Sequence, residues 1–364
     1  MYIECKLPEY PCKTDMWDKI AADPRPIAVY GMGNGADKLF ERLERYGVTP
    51  SAVFASDGFV RGHKFRGYQV RSLSEVAEEY GDFLILLSFA SSRNDVIEMI
   101  SGINERYSML VPDMPVAGES YFDKDFYNSN YESILAAYNS FADEDSKNAF
   151  ASLVNYKLSG ELKYLLSAAS SVEDIYKLLP EEISVSVDAG AYNGDTVREL
   201  MSYRKDIRKI YAFEPDARNF KKLSKFCEES GLSGKISVRL AAVWNKDECG
   251  TFIGSGNRNS SVSSTSSYKN REQSVELVRI DSEVSERVDY IKYDVEGAEL
   301  EALMGSEKII EKCRPAMLIS AYHKSSDIFS LANYVKEKYP DYSLYMRRTM
   351  CFPAWEIALI AIAK

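Results

Sequence analysis

The sequence has very little histidine and no cysteine pair of the kind that binds zinc. His63 and His323 are the two histidines among 364 residues, and none of the six cysteines forms a C-x-x-C pair with another. Zinc knuckles and dithiol redox sites use that spacing, usually together with histidine. A structural zinc site is therefore not expected, and the cysteines are predicted to be free thiols in a reducing compartment.

Long hydrophobic runs and an excess of positive charge are also absent from the sequence. No segment approaches the roughly 20 apolar residues of a membrane span, and the N-terminus lacks the apolar region of a signal peptide. The net charge is −10, which disfavours nucleic acid as the main partner because a phosphate backbone attracts clustered Lys and Arg. We therefore expect a cytoplasmic protein with no membrane span and no nucleic-acid partner.

The composition, 45% hydrophobic and 27% charged, is typical of a globular enzyme, and the length predicts about two domains. Alternating strands and helices predict a small parallel α/β domain over residues 1–112. Tyrosine-rich segments at helical spacing predict a helical connector over 113–175. Renewed alternation over 176–364 predicts seven main strands, the last two forming a hairpin-like pair. The sequence leaves the oligomeric state open and allows a homo-oligomer.

The first of two glycine-rich turns, GMGNGA at 31–36, follows the apolar run PIAVY. Gly31, Gly33 and Ala36 fit the pattern G-x-G-x-x-G/A of dinucleotide sites, so an NAD-dependent oxidoreductase is one hypothesis. The segment lacks the companions of a hydride enzyme, however, and SDGFVRGHKFRGYQV after the second strand reads as a turn. We interpret GMGNGA as an accessory nucleotide site or a packing turn.

The second glycine-rich turn, VDAGAYNGDT, belongs to a region in which three strands end in acids. Asp188, Glu214 and Asp294 follow these strands, and in a doubly wound sheet the carboxyl ends of strands rim the ligand crevice. Several carboxylates suit a sulfonium and an ammonium better than a diphosphate. The predicted cofactor is therefore S-adenosylmethionine rather than NAD.

Six segments resemble the FkbM family of S-adenosylmethionine-dependent methyltransferases over about 180–364: VDAGAYNGDT, FEPD, AAVWNKDE, NRNSSVSS, IKYDVEGAELEALMGSEKIIEKCRP and ISAYHK. The resemblance implies a Rossmann-like seven-stranded class I methyltransferase domain that methylates a hydroxyl of a glycan, nucleotide-sugar or related polyhydroxylated metabolite. The segment before it resembles the small Rossmann-like domain ahead of sugar acyltransferases. An alternative function is therefore that the N-terminal domain is a nucleotide-sugar binding or assembly module.

The resemblance also implies which residues contact the cofactor. The turn at 188–196 would hold the methionine and ribose part, Glu214 the ribose diol, and 241–243 would lie near the adenine. The complete set of expected contacts is Asp188, Gly190, Tyr192, Asn193, Gly194, Asp195, Thr196, Glu214, Pro215, Ala241, Ala242 and Asp294.

Three residues are candidates for the base that takes the proton of the acceptor hydroxyl: Asp294, Glu296 and His323. The sequence does not rank them. Mg²⁺ is an open alternative, because pairs of acids in related folds bind hard cations. Asn259 and Ser260, in a serine-rich segment, are expected to contact the acceptor. Glu299 and Glu301 are expected on a solvated or an N-terminal turn of a helix, where the dipole favours acids.

Overall fold

The structure is a computed structural model. It describes residues 5–60, 62–167, 169–254, 261–262 and 271–364. Asn259 and Ser260, the expected acceptor contacts, lie outside these described residues. Among the described residues, no helix combines the length and the apolar character that crossing a membrane requires.

Helices and strands alternate along most of the chain. The helices are α1 (Met16–Ala22), α2 (Asn34–Arg45), α3 (Leu73–Tyr80), α4 (Asn94–Asn104), α5 (Lys124–Ser129), α6 (Tyr131–Ser140), α7 (Glu144–Ser159), α8 (Leu162–Ser167), α9 (Val172–Leu178), α10 (Asp195–Tyr203), α11 (Ala217–Glu229), α12 (Ile280–Glu283), α13 (Glu299–Met304), α14 (Glu307–Cys313) and α15 (Asp327–Lys338). The strands are β1 (Ile27–Tyr30), β2 (Ala52–Phe54), β3 (Lys64–Phe65), β4 (Tyr68–Arg71), β5 (Leu84–Leu87), β6 (Ser108–Leu110), β7 (Val185–Ala189), β8 (Lys209–Phe213), β9 (Ile236–Arg239), β10 (Ala242–Val243), β11 (Glu248–Gly254), β12 (Ser261–Val262), β13 (Arg271–Val278), β14 (Tyr290–Tyr293), β15 (Ala316–Ser320), β16 (Tyr342–Arg348) and β17 (Ile357–Ala363).

The first sheet has the order β3-β4-β2-β1-β5-β6, and its strands are parallel except for β3. Strands β1 and β5 are buried along their whole length, as expected for parallel strands covered on both faces,. The interpretation of the segment after β2 as a turn was wrong. It contains the hairpin β3–β4, because Gly67 (φ +89°) allows a tight turn and the buried Val70 pairs with Val53 in the sheet,.

The second sheet has the order β16-β17-β15-β14-β7-β8-β9, and β17 runs antiparallel to both of its neighbours. This arrangement confirms the predicted seven-stranded Rossmann-like sheet with a terminal antiparallel pair. The winding direction reverses between β7 and β14, so a crevice opens at their carboxyl ends. Strands β10 to β13 form a separate small sheet beside it, in the order β10-β13-β11-β12.

Helices α5 to α9 lie between the two large sheets in sequence and pack against the hydrophobic core in space. Tyr127 and Tyr156, from the tyrosine-rich segment, are fully buried in one cluster with Phe54 of the first sheet and Tyr293 of the second. The backbone N–H of Ala117 donates to the carbonyl of His323 at 2.8 Å. The segment after β6 is thereby attached to the loop that follows β15.

Candidate active site

A cleft of about 980 Å³, part of it open to solvent, lies at the carboxyl ends of β7, β8 and β14. It is the crevice that the change in winding direction creates. Nine of the twelve expected cofactor contacts line it: Gly190, Tyr192, Asp195, Thr196, Glu214, Pro215, Ala241, Ala242 and Asp294. Asp188 lines an adjoining cavity under α9 and α10, while Asn193 and Gly194 belong to the same turn without lining either cavity.

The turn after β7 depends on glycine because it lies directly against the end of β14. Gly190 has φ +87°, and a Cβ placed there would lie 1.8 Å from the carbonyl oxygen of Asp294. The N–H groups of Gly190 and Ala191 both donate to the carbonyl of Phe213, at 3.0 and 2.9 Å. The ends of β7, β8 and β14 are therefore held together by backbone contacts at the base of the cleft.

Glu214 is positioned by backbone hydrogen bonds on both of its oxygens. Oε2 accepts from the N–H of Tyr192 at 2.9 Å, and Oε1 accepts from the N–H of Asp216 at 2.8 Å. Burial raises the pKa of Glu214 to about 7, against the opposing effect of these two N–H donors,. Each oxygen keeps a further lone pair, so the side chain could accept the hydroxyls of a ribose.

Lys292 is a site residue that the sequence reasoning missed. Its Nζ lies 3.1 Å from Oδ2 of Asp294 and 3.9 Å from Oδ1 of Asp188, and its side chain is 12% exposed. The crevice is therefore not purely acidic, because a lysine bridges two of its three strand-end carboxylates. Lys292 lies in β14, two residues before Asp294, which directly follows the strand. A spacing of two places both side chains on one face of an extended segment, and this pattern could have predicted their contact.

The two carboxylates beside Lys292 differ in the direction of their pKa shifts. Burial raises the pKa of Asp188, whose Oδ2 also accepts a hydrogen bond from the Thr196 hydroxyl. Thr196 is thus a partner of Asp188. Burial also acts to raise the pKa of Asp294, but Lys292 and His323 outweigh it and the pKa is lowered. Asp294 is therefore ionised in the cleft.

The three candidate bases come together, but they are not equivalent. Nε2 of His323 lies 3.6 Å from Oδ1 of Asp294 and 3.6 Å from Oε2 of Glu296. Both acids line the cleft, whereas His323 is 1% exposed and lies behind them. Tyr322, which was not anticipated, lines the cleft with its hydroxyl 3.5 Å from Oδ1 of Asp294.

Glu299 and Glu301 lie in the first turn of α13, as the N-terminal alternative expected, but Glu299 is not solvated. Its side chain is 1% exposed, and its Oε1 lies 2.9 Å from Nδ1 of His323. The same oxygen accepts from the N–H groups of Val295 and Gly297. The chain turns inward here because Glu296 (φ +55°) and Gly297 (φ +96°) are both left-handed, which directs the start of α13 toward His323.

The donor atoms present do not fit a Mg²⁺ site. Asp294, Glu299 and His323 could each bring one donor atom within 4.8 Å of the others. Mg²⁺ prefers six oxygens, several of them from water. Here one of the three donors is an imidazole, and the oxygen of Glu299 nearest it already accepts two backbone N–H groups. Glu299 and His323 are also too buried to share a hydrated ion.

The first glycine turn is a packing turn and also borders a cavity of its own. A Cβ at Gly31 would lie 2.6 Å from Oγ of Ser88, and one at Gly35 would lie 2.2 Å from the Ser88 carbonyl oxygen. Beside it, a cavity of about 770 Å³ is lined by Gly33 and Lys38 of the α2 region and by Trp355 from the β16–β17 connection. This cavity is distinct from the cleft, although Glu356, the next residue after Trp355, lines the cleft.

Part of the chain is similar to a known protein family. Residues 188–347 match the family described as the methyltransferase FkbM domain. A crystal structure of methyltransferase FkbM from Methylobacillus flagellatus KT is similar over 98% of this chain and 94% of that chain, with a TM-score of 0.68 and 19% identity. At that identity the likeness concerns the fold. No curated protein sequence matches the chain.

Two further solved structures are similar to about half of the chain. An rRNA methylase from Streptococcus thermophilus is 17% identical over 53% of this chain and 92% of that chain, with a TM-score of 0.33. TrmK from M. capricolum, in complex with S-adenosylhomocysteine, is 13% identical over 54% of this chain and 69% of that chain, with a TM-score of 0.32.

Proposed function

We propose that the protein is an S-adenosylmethionine-dependent methyltransferase of the FkbM family that methylates a hydroxyl of a glycan, a nucleotide-sugar or a related polyhydroxylated metabolite. The observation that carries the proposal is the pair of carboxylates, Asp294 and Glu296, on the wall of the cleft beside Tyr322. A hydroxyl must lose a proton to become methylated, and neighbouring hydroxyls of a sugar need hydrogen-bond partners. A carboxylate can accept that proton, and carboxylates and a tyrosine can form hydrogen bonds with the neighbouring hydroxyls.

We propose that the cofactor lies along the carboxyl ends of β7 and β8. Glu214 accepts the ribose hydroxyls, and Ala241 to Val243 border the adenine. The turn at 188–196 holds the methionine part, with the ammonium near Asp188, whose Oδ1 is buried and has no hydrogen-bond partner within the described part of the chain. This direction of binding leaves the sulfonium methyl facing Asp294 and Glu296.

Methyl transfer is an in-line displacement, so the main task of the site is to hold the acceptor oxygen about 3 Å from the methyl carbon. We propose Glu296 as the base that accepts the hydroxyl proton. Burial raises the pKa of Glu296 to about 8, with the nearby His323 acting in the opposite direction. Asp294 is a weaker base because Lys292 stabilises its charge. A positioned base contributes roughly 10²- to 10⁴-fold to the rate.

The test combines cofactor binding with methyl transfer to a panel of sugars and nucleotide-sugars. Calorimetry with S-adenosylhomocysteine should detect binding to the wild type and weaker binding to Glu214→Ala. With the acceptor found, Glu296→Gln should lower kcat at least about 100-fold and leave the affinity for S-adenosylhomocysteine unchanged. The exposed Glu311 provides the matched control, Glu311→Gln. An unchanged kcat in Glu296→Gln would refute the assignment of the base.

A second candidate function is a nucleotide-sugar binding module in the N-terminal domain. The cavity at the start of α2 favours it, because a helix N-terminus and Lys38 attract phosphate and the ring of Trp355 could stack on a base or sugar,. A nucleoside diphosphate sugar should then slow amide hydrogen exchange at 31–36. Protection by NADH instead would support the oxidoreductase hypothesis, and protection by neither would leave the turn with a packing role.

A further inference from the structure

A buried carboxylate–imidazole pair lies directly behind the acids of the cleft, and it has no role in the function described so far. We propose that Glu299 and His323 are positioning residues: Glu299 holds the imidazole of His323 and the turn that carries Glu296, and His323 orients Glu296 and favours its ionised form. The inference rests on the proposed role of Glu296 as the base. Neither Glu299 nor His323 lines the cleft, so neither touches the reacting atoms.

The geometry around Glu299 leaves its carboxylate little freedom. Its Oε1 accepts from the N–H of Val295 at 2.9 Å and from the N–H of Gly297 at 3.3 Å. These two residues flank Glu296, so Glu299 is bonded to the very turn that carries the proposed base. The same oxygen lies 2.9 Å from Nδ1 of His323. One carboxylate oxygen thus joins the turn and the imidazole.

His323 is also fixed from its other sides. Its carbonyl accepts from the N–H of Ala117 at 2.8 Å, and its ring centroid lies 4.1 Å from that of Tyr322. Nδ1 lies on the side of Glu299, and the other ring nitrogen faces the acids of the cleft. Nε2 then lies 3.6 Å from the nearest carboxylate oxygen of both Asp294 and Glu296. That distance becomes a hydrogen bond after a shift of about half an ångström.

The charges around His323 favour the imidazolium. The titratable groups that face it or lie next to it are Asp294, Glu296, Glu299, Tyr322, Lys324 and Asp327. Burial lowers the pKa of His323, but the carboxylates of Glu299, Asp294 and Glu296 outweigh burial and raise it to about 10. The imidazolium in turn lowers the pKa of Glu296. Loss of the imidazolium should therefore raise the pKa of Glu296 further, and loss of the Glu299 carboxylate should lower the pKa of His323.

The first experiment needs no substrate, because the full chain has two histidines. In ¹⁵N-histidine-labelled protein the exposed His63 serves as internal reference, and His63→Gln assigns the signals. We expect His323 to titrate at least one pH unit above an ordinary histidine, which titrates near about 6.5. Glu299→Gln should lower that midpoint by at least one unit, and Glu311→Gln should not. An ordinary midpoint in the wild type, or no shift in Glu299→Gln, would overturn the pair.

The second experiment measures the pH dependence of kcat/KM with the acceptor. His323→Gln should move the acidic limb to higher pH by about one unit, a tenfold loss of kcat/KM below the limb. In that background Glu299→Gln should cause no further rise of the limb, because Glu299 favours ionised Glu296 only through the imidazolium,. A His323→Gln variant that loses stability without moving the limb would overturn the proposal.

The two experiments distinguish failure of the pair from failure of the proposed function. The affinity for S-adenosylhomocysteine verifies that each variant is folded, and His323→Gln serves if Glu299→Gln does not fold. If Glu296→Gln keeps its activity, the base is wrong and the positioning role is overturned with it. If His323 titrates normally while Glu296→Gln is inactive, the base stands and the pair alone is refuted.

Discussion

Replacing Gly190 with alanine tests the contact on which the cleft is built. The added Cβ would lie 1.8 Å from the carbonyl oxygen of Asp294 and 2.8 Å from its carbonyl carbon. Van der Waals contact needs more than 3 Å, and both atoms belong to the backbone, so the end of β14 must move by more than about 1 Å. The φ of +87° adds roughly 1–2 kcal/mol of strain for a residue with a Cβ,.

The expected loss of unfolding free energy is about 2–5 kcal/mol, since overpacking costs about 1–3 kcal/mol in addition to the strain. Affinity for S-adenosylhomocysteine should fall at least about tenfold, because the same movement displaces the cleft wall. Gly231 is the matched control: its φ is +66°, and no atom lies within 4 Å of an added Cβ. Gly231→Ala should therefore lose only the unfolding free energy that backbone strain costs, about 1–2 kcal/mol, and should bind S-adenosylhomocysteine normally.

Urea denaturation of the two variants, with calorimetry of S-adenosylhomocysteine binding, measures the difference directly. The comparison cancels the backbone strain and isolates the contact between the turns after β7 and β14. Equal unfolding free energies for Gly190→Ala and Gly231→Ala, together with wild-type affinity in both, would refute the close approach of these turns.

Three other outcomes follow from the electrostatics of the site. Lys292→Met leaves the carboxylates of Asp188 and Asp294 without their cation and should cost about 3–5 kcal/mol of unfolding free energy,. Lys312 is exposed, and Lys312→Met should cost under about 0.5 kcal/mol in the same urea titration,. Equal losses in the two variants would contradict the bridging role of Lys292. Burial raises the pKa of Glu214 to about 7 in the folded chain, whereas in the unfolded chain Glu214 loses its proton near the ordinary glutamate pKa. The unfolding free energy should therefore fall as pH rises from about 4.5 to 7. Glu214→Gln should flatten that slope, and an identical slope in both proteins would show that Glu214 is not responsible. Excess EDTA should leave methyl transfer unchanged. A loss of activity that is restored by added Mg²⁺ would show that the site does bind this ion.

The resemblance of six segments was enough to predict the C-terminal fold. Buried β-strands and turns at VDAG, FEPD and DVEG placed Asp188, Glu214 and Asp294 at strand ends, and parallel strands present their carboxyl ends at one edge of a sheet. The seven-stranded order confirms that arrangement. The residues expected to bind the cofactor lie mostly on one cleft for the same reason, although their roles remain predictions.

Other features depended on how turns fold against one another, which periodicity does not encode. The segment after β2, with its three glycines, looked like a turn, but Val70 is buried and β4 joins the sheet. The expected contacts Asn259 and Ser260 lie outside the described residues and stay predictions. The division of the chain at 112 and 175 also stays a prediction. One continuous hydrophobic cluster includes residues from all three segments.

The sequence by itself determined the alternation of strands and helices and the acids at the strand ends, because these follow from local spacing. The tertiary structure alone decided which charges meet. It placed Lys292 between Asp188 and Asp294, and it turned Glu299 inward onto His323 through two left-handed residues. Burial and pairing depend on distances between segments remote in sequence, and those distances set whether a carboxylate in this cleft is ionised or protonated.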